Sequence, residues 1–297
     1  MKVCFVYSNR SEYAELKPFI EFFKKKSIAK EINLSEHIKH IEDDENLPKI
    51  FTKCFKLFSL ERYSHVCVLG DRRELPFVSL AGFFTNTKIV HIAAGEYTES
   101  TTSYDQYIRP IISILSSTQI CFSKMAQNKV KKLFAGIEYL TPNSYVLGNP
   151  VFAEIDIKKL KRPIKERYDL VLIHPQSLSR KNTLEDVNTL KKILKNKRTI
   201  FIQGNKDRNS DIIEKFYREL KIKNKKYQFV SSFPKKTYFS HVKFCDSFFT
   251  NTSAVHEIDA LNKNCLHIIG KRNKNRSIEF YDDKSPLLLY NILKKQN

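Results

Sequence analysis

Glycine is rare in this chain, and its positions constrain the fold more than any other feature. The 297 residues include only seven glycines. Five of them directly follow short apolar runs, at Gly70, Gly95, Gly148, Gly204 and Gly270. Runs of this length that are rich in Val, Ile and Leu are typical of strands buried on both faces of a sheet. Amphipathic stretches of helical length separate them, and strands that alternate with helices indicate parallel β-α-β units.

The apolar runs fall into two sets, separated by a charged segment that contains Pro163. We therefore expect two Rossmann-like, doubly wound parallel-sheet α/β domains, residues 1–155 and 165–280, that face each other across a cleft. A helix in residues 281–297 is expected to pack back on the first domain. Ligands of open parallel sheets bind beyond the carboxyl ends of the strands. The glycines thus point to a ligand cleft, although ordinary strand-to-helix turns also favour glycine.

The net charge of +20 would suit a nucleic-acid partner. However, the lysines are spread along the chain, and aromatic residues are not interleaved with them as a platform for stacked bases would require. We therefore expect no nucleic-acid partner. A basic cleft for an anionic substrate remains compatible with the charge.

The apolar segments and the cysteines of the chain indicate its cellular location. No run approaches the roughly 20 apolar residues that span a bilayer, and the N-terminal segment lacks the pattern of a signal peptide. Several of the six cysteines lie in apolar runs, which suits buried free thiols in a reducing compartment. We expect a cytoplasmic protein with no membrane partner and, because neither a metal cluster nor a GxGxxG fingerprint occurs, no cofactor.

Carboxylates follow the first-half runs at the positions where a ligand would bind. Asp71 and Glu96 each directly follow one of the glycines, and Asp105 and Arg109 are four residues apart on a predicted helix. His174 follows an apolar run in the second half. Carboxylates that are buried or close together have raised pKa values and suit proton transfer. A turn ion pair for Asp71 and helix caps for Glu96 and Asp105 are the alternative interpretations.

The second half carries a candidate anion site. Asn251, Thr252 and Ser253 stand between a predicted strand and a predicted helix, where hydroxyl groups and free amides can bind an anion. Arg272 and Arg276 follow the last glycine and could pair with a diphosphate. A helix cap followed by a basic loop is the alternative interpretation.

These segments, in this order, resemble the UDP-N-acetylglucosamine 2-epimerase family, especially its hydrolysing branch in sialic-acid-type sugar synthesis. The similarity runs over nearly the whole chain. The segments and the family patterns that they resemble are 8–13 (T/G-x-R-A-E/D-Y), 70–74 (GDR-x-E), 91–98 (H-I-x-G-G-E-x-T), 105–109 (D-x-x-I-R), 147–150 (G-N/S-P), 173–177 (F-H-P-V-T), 251–253 (start of N-S-S-S-G) and 270–276 (G-D-R-Q-x-G-R).

The resemblance implies the glycosyltransferase-B architecture and a two-step reaction. A base removes the C2 proton while UDP leaves C1, giving a glycal, and water then adds to release the free 2-epimeric sugar. It implies a UDP-sugar as binding partner, no cofactor and a homo-oligomer, either a dimer or a tetramer. The implied acid/base and positioning residues are Asp71, Glu96, Asp105, Arg109 and His174. The implied nucleotide-sugar contacts are Arg10, Glu12, Arg72, Asn251, Thr252, Ser253, Glu257, Arg272 and Arg276.

The chain departs from the family pattern at several positions. Ala94 stands where the first glycine of G-G-E is usual, Pro110 where histidine is usual, and Lys271 where aspartate is usual. The glycine that ends the N-S-S-S-G pattern is also missing. Three alternatives therefore stay open: a non-hydrolysing epimerase, which the segment 95–98 disfavours, a glycosyltransferase of the same architecture, and a homologue that binds without turnover.

Overall fold

The computed structural model describes residues 1–41, 43–96, 104–150, 155–204, 207–252, 258, 261–262, 264–270 and 285–297. The chain divides into two compact units. Unit 1 combines residues of 1–97, 105–153 and 279–297, and unit 2 combines residues of 98–104 and 154–278.

Unit 1 is built on a six-stranded parallel sheet with the strand order β2-β1-β3-β4-β5-β6. The strands are β1 (Val3–Tyr7), β2 (Ala29–Asn33), β3 (His65–Leu69), β4 (Lys88–Ile92), β5 (Thr118–Cys121) and β6 (Ser144–Val146). The helices are α1 (Arg10–Lys25), α2 (Leu34–His37), α3 (Leu47–Glu61), α4 (Leu75–Phe84), α5 (Asp105–Leu115), α6 (Lys124–Ala135) and a last helix, α10 (Ser285–Gln296).

Apolar layers cover both faces of this sheet. On one face, α1 buries Leu16, Phe19 and Phe23 at helical spacing, because residues three and four apart share one side of a helix. Helix α10 adds Leu289 and Leu293 to the same layer. The other face is covered by the buried side chains of α3 and α4. The sheet edge formed by the strand ends is thus left as the place for polar side chains.

Unit 2 is built on a five-stranded parallel sheet with the strand order β11-β10-β7-β8-β9. The strands are β7 (Asp169–Leu172), β8 (Thr199–Ile202), β9 (Tyr227–Val230), β10 (Ser247–Thr250) and β11 (Leu266–Ile268). The helices are α7 (Arg180–Ile193), α8 (Ser210–Lys223) and α9 (Lys235–Phe244). The prediction of two parallel-sheet α/β domains is confirmed.

Each sheet contains one point at which the order of the strands reverses. In unit 1 the chain moves outward from β1 to β2 and then returns to place β3 on the other side of β1. In unit 2 the corresponding pair is β7 and β10, since β8 lies on the far side of β7. Ligands of open α/β sheets bind at such reversal points, outside the carboxyl ends of the strands. The segments that follow these four strands are therefore the first places to look for a site.

All six cysteines are buried free thiols. Among the residues described above, none of the helices has both the length and the apolar character needed to cross a membrane.

Candidate functional site

The site of unit 1 is centred on the guanidinium group of Arg109. This side chain is 10% exposed and forms an ion pair with the carboxylate of Asp71. Its other terminal nitrogen, Nη1, donates to the main-chain oxygen of Ala93 over 2.9 Å. Burial acts to lower the pKa of Arg109, but the neighbouring carboxylates outweigh burial, and the pKa is raised. Those carboxylates belong to Asp71, Glu96 and Asp105. The buried guanidinium group of Arg109 thus lies among the three carboxylates of the predicted acid/base set.

Glu96 is a carboxyl group of this set whose pKa is raised. Burial raises the pKa of Glu96, while the positive charges of Arg109 and Lys129 act in the opposite direction. A carboxyl group with a raised pKa can give up or take a proton near neutral pH. Asp105, the first residue of α5, lies one helical turn before Arg109. The structure therefore brings together Asp71, Glu96 and Asp105, as the resemblance implies.

The turn that leads to Glu96 has an unusual backbone. Ala93 has a positive φ of 64°, which is unfavourable for a residue with a Cβ atom, and Gly95 has a φ of 75°. A Cβ atom on Gly95 would collide with the main-chain oxygen of Ala126. Ala94, where the family pattern has glycine, has no positive φ, and its methyl group is fully buried. The alanine at position 94 is therefore compatible with the turn.

His91 fixes the start of the segment that carries Asp71. Its ring nitrogens lie 2.8 Å from the main-chain oxygen of Gly70 and 2.8 Å from the hydroxyl of Ser113. Burial lowers the pKa of His91 to about 3, so the ring is neutral at physiological pH. Its Nε2–H therefore donates to Gly70, and its Nδ1 accepts from Ser113. His91 supports the turn at Gly70, whose φ is 82°.

Two further buried carboxyl groups, those of Glu12 and Glu74, lie at the reversal point of unit 1. Glu12 accepts from the main-chain nitrogen of Ser8 at 2.7 Å and from the Ser8 hydroxyl at 2.9 Å, and it completes a capping box with Asn9. Ser8 also contacts Glu74. Burial, together with the charge of Glu74, raises the pKa of Glu12 to about 7. The Oε2 of Glu12 faces the backbone at the start of α1. The predicted contact of Glu12 with substrate stays a prediction.

The two arginines at this reversal point differ in their exposure to solvent. The Nε of Arg72 donates to Glu74 over 3.1 Å, and the Arg72 side chain stays 27% exposed. Arg10, the first residue of α1, is exposed. Both side chains can reach solvent beside the strand ends, as a contact to an anionic ligand requires.

The site of unit 2 is organised around the main chain of His174, just after β7. The side-chain oxygen of Asn251 accepts from the nitrogen of His174 over 2.7 Å, and its Nδ2 donates to the oxygen of His174 over 2.8 Å. The same Nδ2 donates to Asp186 over 2.9 Å. Asn251 is fully buried, and its amide holds the peptide groups on both sides of the His174 Cα. The predicted contact of Asn251 with substrate stays a prediction.

The ring of His174 packs against the end of β8. A Cβ atom on Gly204 would lie 2.5 Å from the main-chain oxygen of Ile173 and 3.1 Å from the Nδ1 of His174. These contacts are too close for any other residue without movement, which explains glycine at this strand end. The ring itself is half-buried.

Comparison with known proteins identifies the family of this chain. The sequence matches the model of the UDP-N-acetylglucosamine 2-epimerase family over residues 17–280. The chain belongs to this family.

Two curated relatives of this 2-epimerase family member are similar at low identity. Over 231 residues the chain is 28% identical to "Polysialic acid biosynthesis protein P7" of Escherichia coli, and the match covers 74% of this chain and 58% of the relative. Over 270 residues it is 26% identical to "GDP/UDP-N,N'-diacetylbacillosamine 2-epimerase (hydrolyzing)" of Campylobacter jejuni, with 84% of this chain and 69% of the relative covered. The chain thus spans less than two thirds of the first relative.

Solved structures show the fold of the family. The UDP-GlcNAc 2-epimerase of Methanocaldococcus jannaschii in complex with UDP-GlcNAc and UDP is similar with a TM-score of 0.74 and 18% identity, over 99% of this chain and 100% of that chain. The S. aureus MnaA–UDP co-structure is similar with a TM-score of 0.71 and 14% identity, over 100% of this chain and 97% of that chain. At these identities the likeness establishes the architecture, and the glycosyltransferase-B-like prediction is confirmed at that level.

The remaining predicted contacts of this 2-epimerase family chain lie in unit 2. Thr252 is buried, and its main-chain nitrogen donates to the hydroxyl of Thr250 over 3.1 Å. The other four predicted contacts lie outside the described residues and stay predictions: Ser253, Glu257, Arg272 and Arg276.

The structure also adds residues that the sequence reasoning missed. Ser8 and Glu74 lie within segments already compared with the family. Their positions in the chain could therefore be predicted, but the contact between them could not. Asp186 had a different signal. It is buried on α7 beside Val187 and Leu190, so a carboxylate occupies the apolar face of an amphipathic helix. A buried charge at such a position requires hydrogen-bond partners.

Proposed function

We propose that this protein is a hydrolysing UDP-N-acetylhexosamine 2-epimerase. Its substrate is UDP-GlcNAc or a UDP-2,4-diacetamido-trideoxyhexose, and its products are UDP and the free 2-epimeric sugar. The observation that carries the proposal is the grouping of Asp71, Glu96 and Asp105 around the buried cation of Arg109. The C. jejuni relative, which is named as hydrolyzing, supports the same branch.

The reaction requires two proton transfers that these carboxyl groups suit. In the first step a base takes the C2 proton, and the electron pair of the C2–H bond forms the C1=C2 double bond of the glycal. The C1–O bond breaks, and UDP leaves with the electron pair of that C1–O bond. In the second step water supplies the C1 hydroxyl, and C2 receives a proton on the opposite face. Asp71, Glu96 and Asp105 are the proposed bases and acids. The raised pKa of Glu96 suits a group that delivers a proton.

Arg109 fixes this arrangement because it is bonded to Asp71 and to the main chain of the turn before Glu96. Removal of water from such a site strengthens each charge interaction within it. Arg109 therefore acts as the positioning residue of the proposed catalytic group.

Nucleotide binding is proposed for the strand ends and the basic segments. Thr252 and His174 lie at the strand ends of unit 2, and Arg10 and Arg72 lie at those of unit 1. Together with Ser253, Glu257, Arg272 and Arg276 they form the proposed set of donor contacts. The net charge of +20 supports an anionic substrate. The six buried free thiols support a cytoplasmic location, and the homo-oligomer stays a prediction.

Proton NMR of the purified protein with UDP-GlcNAc in deuterated water tests the proposal. Free N-acetylmannosamine and UDP, with deuterium at C2 of the sugar, are expected. UDP-N-acetylmannosamine as product would instead establish the non-hydrolysing reaction. If UDP-GlcNAc is unchanged, the same experiment is run with the UDP-diacetamido-trideoxyhexose. No turnover of either donor would contradict the proposal and favour a binding homologue.

The matched variants for this experiment are Asp71→Asn and Asp44→Asn. Asp71 lies in the proposed catalytic group, whereas the Asp44 side chain is 79% exposed and pairs with Arg73. Turnover lost in the first variant and kept in the second assigns the activity to the proposed site.

A further inference from the structure

A single buried carboxylate links three strand ends of unit 2. The Oδ2 of Asp186 accepts from Asn251 after β10 at 2.9 Å and from the Nε2 of Gln176 after β7 at 3.1 Å. Gly270, after β11, packs so closely against the same carboxylate that a Cβ atom there would lie 3.2 Å from its Cγ and closer still to its Oδ1. Asp186 itself is 5% exposed. We call Asp186, Asn251, Gln176 and Gly270 the Asp186 hub.

The carboxylate decides which way the amide of Asn251 faces. An ionised carboxylate only accepts hydrogen bonds, so it must be approached by the Nδ2 of Asn251 and by the Nε2 of Gln176. The Oδ1 of Asn251 is then directed at the N–H of His174, and the second hydrogen of Nδ2 at the C=O of His174. With the amide reversed, Oδ1 would oppose Asp186, and the Asn251 donors would face the N–H of His174. The acceptor oxygen of Asp186 therefore selects the arrangement that clamps His174.

The same carboxylate bears on the segment that follows β11. Gly270 has a φ of 73°, a conformation that residues with a Cβ atom avoid, and its Cα rests against Asp186. The direction in which the chain leaves β11 is thus set beside the same group that orients Asn251. The basic residues predicted to meet the diphosphate follow directly in the sequence.

We propose that Asp186 is a positioning residue of the nucleotide-sugar site: it fixes His174 through Asn251 and fixes the origin of the basic segment through Gly270. The proposal rests on the proposed function in that the donor is taken to contact these two segments. Asp186 itself contacts no substrate. Its effect is expected on the affinity for the UDP moiety and for the donor, with kcat changed much less.

The test is a set of variants that exchange the two groups of the pair. Asp186→Asn loses an acceptor, and Asn251→Asp places a second carboxylate against the first. Each is expected to weaken UDP binding, measured by calorimetry, and to raise the KM for the donor by about tenfold. In the double variant Asp186→Asn/Asn251→Asp the new amide can donate to the new carboxylate, which still accepts from the N–H of His174. It is expected to bind UDP more tightly than the weaker single variant.

Asp169→Asn is the matched control. Asp169 is equally buried, but it lies at the amino end of β7, where it pairs with Lys197 over 2.9 Å. Its loss is expected to lower thermal stability without weakening UDP binding, measured at a temperature where every variant is folded. A merely structural role of Asp186 predicts that the hub variants behave like this control, with unchanged UDP affinity and no recovery in the double variant. That result would overturn the proposal.

The outcomes separate this proposal from the proposed function. If the wild type binds UDP but turns over neither donor, and the hub variants still weaken binding, the positioning role stands and the 2-epimerase reaction fails. If the wild type turns over donor and the hub variants keep its UDP affinity and KM, the reaction stands and the positioning role fails. If the wild type does not bind UDP, both are contradicted.

Discussion

The two reversal points of this molecule share a topology and differ in chemistry. In unit 1 the strand ends carry several charged groups in contact, including Asp71 with Arg109 and Glu74 with Arg72. In unit 2 the corresponding strand ends are held by amides and main-chain groups around one buried carboxylate, Asp186. Charged groups of shifted pKa can move protons, whereas amides fix geometry without titrating. We therefore expect unit 1 to govern the rate and pH dependence of the proposed reaction, and unit 2 to govern the affinity for the donor.

The largest effect is expected for Asp71→Asn. The amide keeps the size of the side chain but cannot take up a proton or pair with the charge of Arg109. We expect kcat to fall by about 10²–10⁴-fold, with the Kd for UDP changed less than about twofold. Steady-state kinetics and calorimetry of the same preparation measure both. A variant that keeps kcat and loses UDP affinity would break the proposed division between the units.

Arg109→Met tests whether one cation holds the unit 1 site together. The change leaves Asp71 without its ion pair and the main-chain oxygen of Ala93 without its donor. Because breaking a buried ion pair leaves an uncompensated charge, we expect a loss of about 3–5 kcal/mol in the free energy of unfolding. Turnover is expected to fall by about 10²–10³-fold at a temperature where the variant is folded.

The control for this change is Arg73→Met. Arg73 pairs with the mostly exposed Asp44, so its loss should alter the free energy of unfolding by less than about 1 kcal/mol. Urea unfolding curves of the two variants give the comparison. Equal losses would mean that burial around Arg109 contributes nothing to its pairing.

Glu12→Gln is expected to change how stability depends on pH. The pKa of Glu12 is raised from the ordinary value of 4.5 to about 7 in the folded protein, mainly because of burial. The folded state therefore holds a proton that the unfolded state releases, and this contribution to stability is complete below pH 4.5 and lost as pH rises through 7. Glutamine retains the capping-box pattern and does not titrate.

The measurement for Glu12 is urea unfolding of the wild type and of Glu12→Gln at pH 5 and pH 8. Relative to the variant, the wild type should lose about 2–3 kcal/mol of unfolding free energy between the two pH values. Curves that stay parallel would show that Glu12 is ionised in the folded state at both.

How far the sequence could predict these sites depends on the range of the contacts. Asp71 and Glu96 were placed correctly because in a parallel sheet each residue directly after a strand lies at the same edge. Asp105 and Arg109 followed from helical spacing. The partner of Asn251 lies 77 residues away, and only tertiary contacts decide whether its amide meets protein or ligand.

Glu12 and Asp186 show the same limit from two directions. The family pattern assigned Glu12 to substrate, but its short-range cap to Ser8 and Asn9 explains its position without a ligand. Asp186 lies on the buried face of a helix, and no sequence pattern indicated the three strand ends that meet it. A buried polar group can be recognised from its pattern, whereas its partners depend on the fold.

The smallest predicted difference concerns the backbone at the two sites. In unit 2 the residue beside Asp186 with a left-handed backbone is a glycine, Gly270. In unit 1 Ala93 has the same backbone conformation, and its main-chain oxygen accepts from Arg109. Ala93→Gly relieves about 1 kcal/mol of strain, which offsets the roughly 0.5–1 kcal/mol that glycine costs in lost chain entropy. Ala94→Gly relieves no such strain and also removes a fully buried methyl group.

The two neighbouring changes are therefore expected to differ by about 1 kcal/mol in the free energy of unfolding, with Ala93→Gly the more stable. Thermal or urea unfolding of the pair resolves a difference of this size. Both variants should keep kcat within about twofold, because neither removes a donor or a carboxylate from the group around Arg109. A large gain in kcat for Ala94→Gly would instead show that the alanine at position 94 limits the reaction. The turn of unit 1 would then require backbone freedom of the kind that Gly270 gives to unit 2.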